Sequence, residues 1–391
     1  MKYKDLIIGI PREIMNGESR VAAIPETVKK LVNDGARVLI ETNAGLKSYF
    51  SNELYENVGA EITINVEDIY ETSDLILKVK EPLFNKLLNK SEVEMMKKGQ
   101  YLITFLHPAS PSNHKMVSEL AEKGVNSLTL DGMPRITRAQ TMDALTSMST
   151  VAGYKSVLMA ANRLRKFMPM VGTAVGMIKP ANVLVIGTGV AGLQAIATAR
   201  RLGAVVSAID IRSDAQEQAK SLGAKIIDVG VPKEIAVGDG FYACSLPENW
   251  LSHERDIIRE KISQFDIIIL SALVPGKQAP VLITDDMVKM MNPGSVIVDI
   301  AIDQGGNCEA TVSGEVVEKY LVSIDGTKNI PGQVPESSTW MFAHNIFNFL
   351  SYLVKDGQIV LDWEDEVISS TIVTFEGKIL HKGTREAMDL V

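Results

Sequence analysis

The chain has 391 residues, 46% of them apolar and 23% charged, with 29 glycines and 15 prolines. Those proportions exclude wholesale disorder, a collagen-like repeat and a coiled-coil rod, and at roughly 150 residues per domain they allow two or three domains. A net charge of -8, with no block of five or more like charges, lacks the electrostatic footprint of a nucleic-acid binder, and two cysteines, Cys244 and Cys308, are too few for a disulfide framework or a zinc site.

The start, Met1-Lys-Tyr-Lys-Asp, runs straight into a strand-like Leu6–Ile10, an apolar stretch too short for the core of a signal peptide. The most apolar region, Met168 to Ala199, is broken by Lys179-Pro180 and Asn182, and no run reaches the roughly 18 to 20 apolar residues of a membrane helix. A cytoplasmic α/β chain without direct membrane insertion is expected. Strand candidates come first at Leu6–Ile10, Val38–Glu41, Leu75–Val79, Tyr101–Leu106 and Ser127–Leu130, separated by amphipathic stretches such as Pro25–Val32, Glu92–Lys98 and Pro111–Lys123. Connections this short imply parallel βαβ units.

Arg138 to Phe167 interrupts the rhythm with one glycine, Gly153, and no proline, and reads as a connecting helix. A second series of strands follows at Val183–Ile186, Val205–Ile209, Lys225–Ile227, Asp266–Ser271 and Ser295–Ile300, then Tyr320–Ile324, a helix over Ser337–Val354 and a glycine-punctuated tail. The expected fold is α/β, with two Rossmann-like or flavodoxin-like parallel-sheet domains joined by long helices. The domains are an N-terminal one over 1–137, completed by about 335–391, a connecting helix over 138–167, and a Rossmann domain over 168–334. Ligands of open parallel sheets bind beyond the carboxyl ends of the strands, so the active site is expected in a cleft between the two domains.

The strongest local signal is Val183-Leu-Val-Ile-Gly187-Thr188-Gly189-Val190-Ala-Gly192, a G-x-G-x-x-G that follows an apolar strand and opens a helix. Gly187 suits the tight turn, Gly189 the close approach of a pyrophosphate, and Gly192 close helix–strand packing, with the helix N–H groups facing the phosphates. The next strand ends at Asp210-Ile211-Arg212, and Asp210 stands where an acid accepts hydrogen bonds from the adenosine ribose. A carboxylate there repels a 2′-phosphate, so NAD(H) is expected rather than NADP(H), although Arg212 could pair with that phosphate.

Several polar residues stand at strand ends or in the loops that follow strands: Arg20, Lys80, His107 and Asp303. Singly, each has a plain structural role open to it: a surface charge, a solvated strand end, a capping histidine, a turn former before Gly305-Gly306. Together, two cations, an imidazole and a carboxylate suit a 2-oxo or 2-amino acid. A second group, Arg135, Gln140, Asp143 and Thr146, lies at the entry to the connecting helix. There Thr137-x-x-Gln140 can be a capping box, or Arg135, Gln140 and Asp143 can form a polar loop over a nucleotide. Tyr242, in Asp239-Gly-Phe-Tyr242, belongs either to a glycine-hinged lid or to an ordinary turn.

These stretches resemble the alanine dehydrogenase and pyridine nucleotide transhydrogenase family over nearly the whole chain. Pro134-Arg-Ile-Thr-Arg-Ala-Gln-Thr-Met-Asp143, Gly189 to Ala204, Ser271 to Ile283 with Gly305-Gly-Asn-Cys-Glu, and the tail motifs Trp363-Glu-Asp-Glu-Val and Gly377-Lys-Ile-Leu-His are similar to the transhydrogenase branch. That resemblance implies that Arg135, Gln140, Asp143 and Thr146 hold the nicotinamide end and face NADP(H) on a partner chain, with Tyr242 on a mobile loop. It implies self-association as a dimer or larger, and separate membrane-spanning and NADP-binding chains that would hold this one at the inner face of the cell membrane. Arg20, Lys80, His107 and Asp303 match instead the substrate site of the alanine dehydrogenase branch, in which the two cations hold the carboxyl and polarise the carbonyl, His107 is the acid/base and Asp303 orients it or the attacking water. The chain carries both signatures, and alanine dehydrogenase is the alternative.

Overall fold

The computed structural model describes residues 1–238, 243–274 and 277–390. The chain divides into two compact units, one formed by Met1–Met148 with Gly332–Val391 and the other by Ser149–Pro331.

The first unit is built on an eight-stranded sheet. Its spatial order is Lys378–Ile379, Ile372–Phe375, Asn126–Thr129, Tyr101–Thr104, Leu75–Leu77, Ile7–Ile10, Arg37–Glu41 and Glu61–Thr63. The six strands from the first half of the chain are parallel, and Ile372–Phe375 adds antiparallel to Asn126–Thr129. The tail is thus a sheet component, with the Ser127 and Thr374 hydroxyls 2.7 Å apart across the seam. The long helix Pro335–Leu353 belongs to the same unit and buries Phe342, Ile346, Phe349 and Leu350.

The second unit has seven strands in the order Lys225–Ile226, Val205–Ile209, Asn182–Ile186, Ile267–Leu270, Val296–Asp299, Val322–Asp325 and Val316–Lys319, all parallel except the last. Its central strands are apolar throughout because both faces are covered. Alternate residues go to opposite cores. Val183, Val185, Ile267 and Ile269 pack with Ala195, Ile196 and Ala199 of the helix Val190–Arg201. Leu184, Ile186, Ile268 and Leu270 pack with Ile258, Ile262 and Met287 on the other face.

The connecting helix is shorter than the sequence suggests. Thr137–Met142 forms a 3-10 turn and the α-helix spans Ala144–Arg163. The physical reason is Asp143, whose carboxylate accepts the Thr146 N–H at 2.8 Å and the Thr146 hydroxyl at 2.6 Å. That capping interaction starts the helix six residues later than Arg138, and the 3-10 turn has no side-chain cap from Ile136. The apolar stretch after Met168 likewise contains an unforeseen antiparallel hairpin, Val171–Thr173 with Gly176–Ile178.

Gly153 lies inside the Ala144–Arg163 helix, where Ala would ordinarily be favoured by about 1 kcal/mol. Here a Cβ would stand 2.1 Å from the carbonyl oxygen of Ala191 at the start of the neighbouring helix. Overpacking against backbone costs about 1–3 kcal/mol, so the sign reverses. Gly153→Ala is expected to lower the thermal midpoint by a few degrees, measured by calorimetry; an unchanged or raised midpoint would show that the two helices can separate freely.

Candidate functional site

The turn after Asn182–Ile186 lies where the strand order of the second unit reverses, between that strand and Ile267–Leu270. Gly187 has φ +84°, and a Cβ there would meet the backbone nitrogen of Ala272 at 2.7 Å. Gly192 packs closer, with its would-be Cβ 1.9 Å from the Gly187 carbonyl oxygen. Gly189 is different: it caps the helix that Val190 opens, and nothing lies within 4 Å of the place its Cβ would take. Open space before free helical N–H groups fits a pyrophosphate.

Thr188 is buried and turned inward. Its N–H and hydroxyl donate to Asp210 Oδ2 at 2.7 and 3.1 Å, and its hydroxyl also reaches the Ala215 carbonyl. Arg212 folds back on the same carboxylate, with its N–H and Nε on Oδ1 at 2.9 Å and Nη2 on Oδ2 at 2.8 Å. Ile211, between them, is half-buried against the core. Glu254, on the buried face of the helix Glu248–Lys261, is pushed up to about 7 by burial and by the charge of Asp210. Tyr242 lies outside the described residues.

Asp303 belongs to this unit and is exposed on the 3-10 turn Ile300–Gln304. The carboxylate that shapes the following turn is Asp299, which sequence reasoning missed. It accepts the N–H groups of Ala301, Asn307 and Cys308 and the Thr311 hydroxyl, while burial holds its pKa up at about 6.

In the first unit the structure brings Arg20, Lys80 and His107 within one chain of charges, together with two acids that sequence reasoning did not pick out. Arg20 is buried and grips Glu18 as a fork, Nε to Oε1 at 2.8 Å and Nη2 to Oε2 at 2.5 Å. Burial raises Glu18, but the Arg20 charge and hydrogen bonds, with help from Lys80, bring it down to about 2. Arg20 and Lys80 thus place two cations beside the buried Glu18, the kind of setting that can receive a ligand carboxylate.

His107 has a left-handed backbone, φ +44°, immediately before Pro108. A non-glycine residue there stores strain, as functional positions often do. Its Nδ1 lies 2.7 Å from Asp131 Oδ1, while Asp131 Oδ2 accepts the His107 N–H at 2.7 Å, the Leu106 N–H and the Thr129 hydroxyl. The Asp131 charge raises the His107 pKa against the opposing effects of burial and Lys80. Burial raises Asp131 in turn, but His107 outweighs it and leaves the acid at about 2. The ring is half-exposed and held in one orientation, which is what an acid/base group needs.

The polar loop also lies in the first unit. Arg135 and Gln140 are exposed, whereas Asp143 and Thr146 bond to each other as the helix cap. The loop is pinned from the tail. Asn345 and Asn348 both donate to the Thr141 carbonyl, and Arg138 meets Asp365, which also accepts the Tyr352 hydroxyl and caps the helix Glu366–Thr371.

Family models match both regions of the chain: "Alanine dehydrogenase/PNT, N-terminal domain" over residues 9–152 and "Alanine dehydrogenase/PNT, C-terminal domain" over 156–382. The chain belongs to the alanine dehydrogenase/PNT family. It is 41% identical over 377 residues to the first of the pieces that make up NAD(P) transhydrogenase subunit alpha in Rhodospirillum rubrum, covering 96% of this chain and 97% of that protein. The structure of a transhydrogenase from Sinorhizobium meliloti matches with a TM-score of 0.81 at 37% identity, over 96% of this chain and 99% of that one. The structure of an L-alanine dehydrogenase gives the same TM-score at 28% identity, over 99% of this chain and 100% of that one. Proteins of both names thus share the fold of this chain.

The His107–Asp131 pair makes a pH-dependent contribution to stability. The folded His107 pKa lies above its unfolded value, so the contribution is complete below the ordinary histidine pKa of about 6.5 and is lost as the pH climbs through the raised value. Asp131→Asn removes the charge and leaves burial and Lys80, which lower the pKa, opposed by Glu81. The His107 pKa, followed by NMR, is expected to fall, and the unfolding midpoint should lose that share of its pH dependence. A variant that titrates as the unmodified chain would show that Asp131 does not govern the imidazole.

Proposed function

We propose that this chain is the NAD(H)-binding component of an NAD(P) transhydrogenase, taking part in direct hydride transfer between NADH and NADP+ held on a partner chain. One observation carries the reading: the likeness to the Rhodospirillum rubrum alpha-subunit piece runs through both units, over 96% of this chain and 97% of that protein. The open space at Gly189 and the carboxylate of Asp210 suit NAD(H). When bound, the nicotinamide supplies the hydride. The chain's own role is to fix the dinucleotide and present its reactive end, since transfer between two rings depends on proximity and alignment rather than on a general base. Exposed Arg135 and Gln140, on a loop pinned by Asn345, Asn348 and Asp365, suit that task.

Proton translocation would fall to other chains, because no helix among the described residues is long and apolar enough to cross a membrane. The partners would be a membrane-spanning and an NADP-binding subunit, with this chain cytoplasmic and peripheral at the inner face of the cell membrane. The Val171–Thr173/Gly176–Ile178 hairpin supports self-association: Met170, Val175 and Met177 are 60%, 97% and 69% exposed on it or beside it.

A second reading, NAD-dependent alanine dehydrogenase, is favoured by the His107–Asp131 pair. Transhydrogenation has no evident use for an oriented imidazole near two cations, whereas oxidation of a 2-amino acid does. In that reading Arg20 and Lys80 take the carboxylate and His107 moves the proton.

Two variants separate the readings. With partner chains supplied, Gln140→Asn is expected to slow hydride transfer to NADP+ by about tenfold or more through lost alignment, while His107→Ala leaves it near normal. Incubation with NAD+ and L-alanine at alkaline pH is expected to give no steady NADH absorbance. Steady production, lost by about 100-fold or more in His107→Ala as for removal of a general acid/base, would overturn the first reading in favour of the second.

A further inference from the structure

Gln140 stands exposed on a short turn, where a side chain ordinarily moves with its backbone. Here the backbone is held on both sides of it. Ala139 and Met142 are buried, and Asp143 closes the segment by capping the next helix through Thr146. Between them the Thr141 carbonyl takes two amide donors, Asn345 Nδ2 at 3.0 Å and Asn348 Nδ2 at 3.1 Å. A carbonyl oxygen has two lone pairs. Two donors from outside the turn fix the direction of this one twice over.

Both donors stand on one face of the helix Pro335–Leu353, three residues apart, and buried Phe342, Ile346, Phe349 and Leu350 anchor that helix. Asn348 is half-buried. Asn345 is 7% exposed, and its Oδ1 is buried and meets no donor among the described residues. An unpaired buried acceptor costs stability. An apolar side chain at that position would avoid the cost, and Asn348 would still hold the carbonyl. The second amide is thus a poor stabiliser. What it adds is direction, carried from a rigid helix to the residue beside Gln140.

We propose that Asn345 and Asn348 are positioning residues for hydride transfer: a pair of amides that clamps the Thr141 carbonyl and so sets the aim of Gln140. The inference rests on the transhydrogenase reading above and adds to it the source of the alignment. The clamp moves no proton in the conversion of NADH and NADP+ to NAD+ and NADPH. Its effect falls on the rate at saturating nucleotide rather than on affinity, because a loose turn presents Gln140 in many directions of which few are productive.

The test is Asn345→Asp and Asn348→Asp in the full chain, assayed for NADH binding by nucleotide fluorescence and, with partner chains supplied, for hydride transfer to NADP+ at saturating nucleotide. Each replacement keeps the shape of the side chain, and an ionised carboxylate has no donor for the carbonyl. The rate should fall by about tenfold for Asn345→Asp and about threefold for Asn348→Asp, with the NADH dissociation constant held within about twofold. A protonated carboxyl regains an O–H donor, and burial beside a carbonyl raises the pKa of the introduced acid. Relative to the unmodified chain, the Asn345→Asp rate should therefore recover as the pH falls, which a mere loss of packing would not give. If Asn345→Asp fails to fold, judged by circular dichroism, Asn348→Asp carries the test by the same rate and affinity. Rates equal to that of the unmodified chain would overturn the proposal, and so would an Asn345→Asp rate that recovers at no pH. NADH affinity falling in step with the rate would overturn it too, since the pair would then support the binding site as a whole. An unmodified chain that binds NADH yet transfers no hydride with its partners present would overturn the transhydrogenase reading itself and this inference with it.

Discussion

A lysine with no exposed surface must be neutralised where it lies, and Lys78 imposes that demand on the first unit. Burial alone would lower its pKa, but Glu13 and Glu92 outweigh that and hold it above the ordinary lysine range. Its Nζ sits 2.8 Å from Glu92 and 3.5 Å from Glu13. Each acid then has a second task. Glu13 accepts the Val79 N–H at 2.6 Å, while Glu92 takes the Tyr70 hydroxyl and the Leu83 N–H. The backbone on either side of Lys80 is therefore fixed by a charge cluster that water does not reach. Breaking such a cluster by removing one partner costs about 3–5 kcal/mol, so the end of the Leu75–Leu77 strand is among the firmest places in the unit. Lys80 stands on that footing.

What could be read from the sequence follows from how local each cause is. The Gly187–Gly192 turn was legible because its demands act within six residues: one positive φ, one open Cβ position and one helix start. The alternation of strands and helices was legible because sheets covered on both faces need continuous apolar runs, and Val183–Ile186 and Ile267–Leu270 supply them. Partners were harder. His107 was visible at a strand end, but Asp131 lies 24 residues away on the adjoining strand's extension, and only the parallel register between Tyr101–Thr104 and Asn126–Thr129 unites them. Glu18 is two residues from Arg20, yet sequence cannot distinguish a solvated acid from one folded into a fork.

The connecting helix shows the same limit from another side. The sequence offers a capping box at Thr137-x-x-Gln140 or a polar loop, whereas the helix starts at Ala144, behind the Asp143 cap. The tail braces the 3-10 turn that precedes the Asp143 cap: Asn345 and Asn348 hold the Thr141 carbonyl and Asp365 holds the Arg138 side chain. Those anchors lie more than 200 residues downstream, beyond the range of any local propensity. Gln140 is exposed on that turn and Arg135 just before it.

The threading of the first unit has a consequence for how the protein is made. Its sheet needs Ile372–Phe375 beside Asn126–Thr129, with the whole second unit in between. Synthesis proceeds at about 5–20 residues per second, so an emerging chain carries the bare Asn126–Thr129 edge for some tens of seconds before its partner strand leaves the ribosome. Unpaired edges of that kind recruit other strands. The second unit, contiguous from Ser149 to Pro331, has no such wait and can form as an insert within an unfinished host. Biogenesis thus runs out of order, middle before ends, and the nascent first unit is the stage at which a chaperone has something to protect.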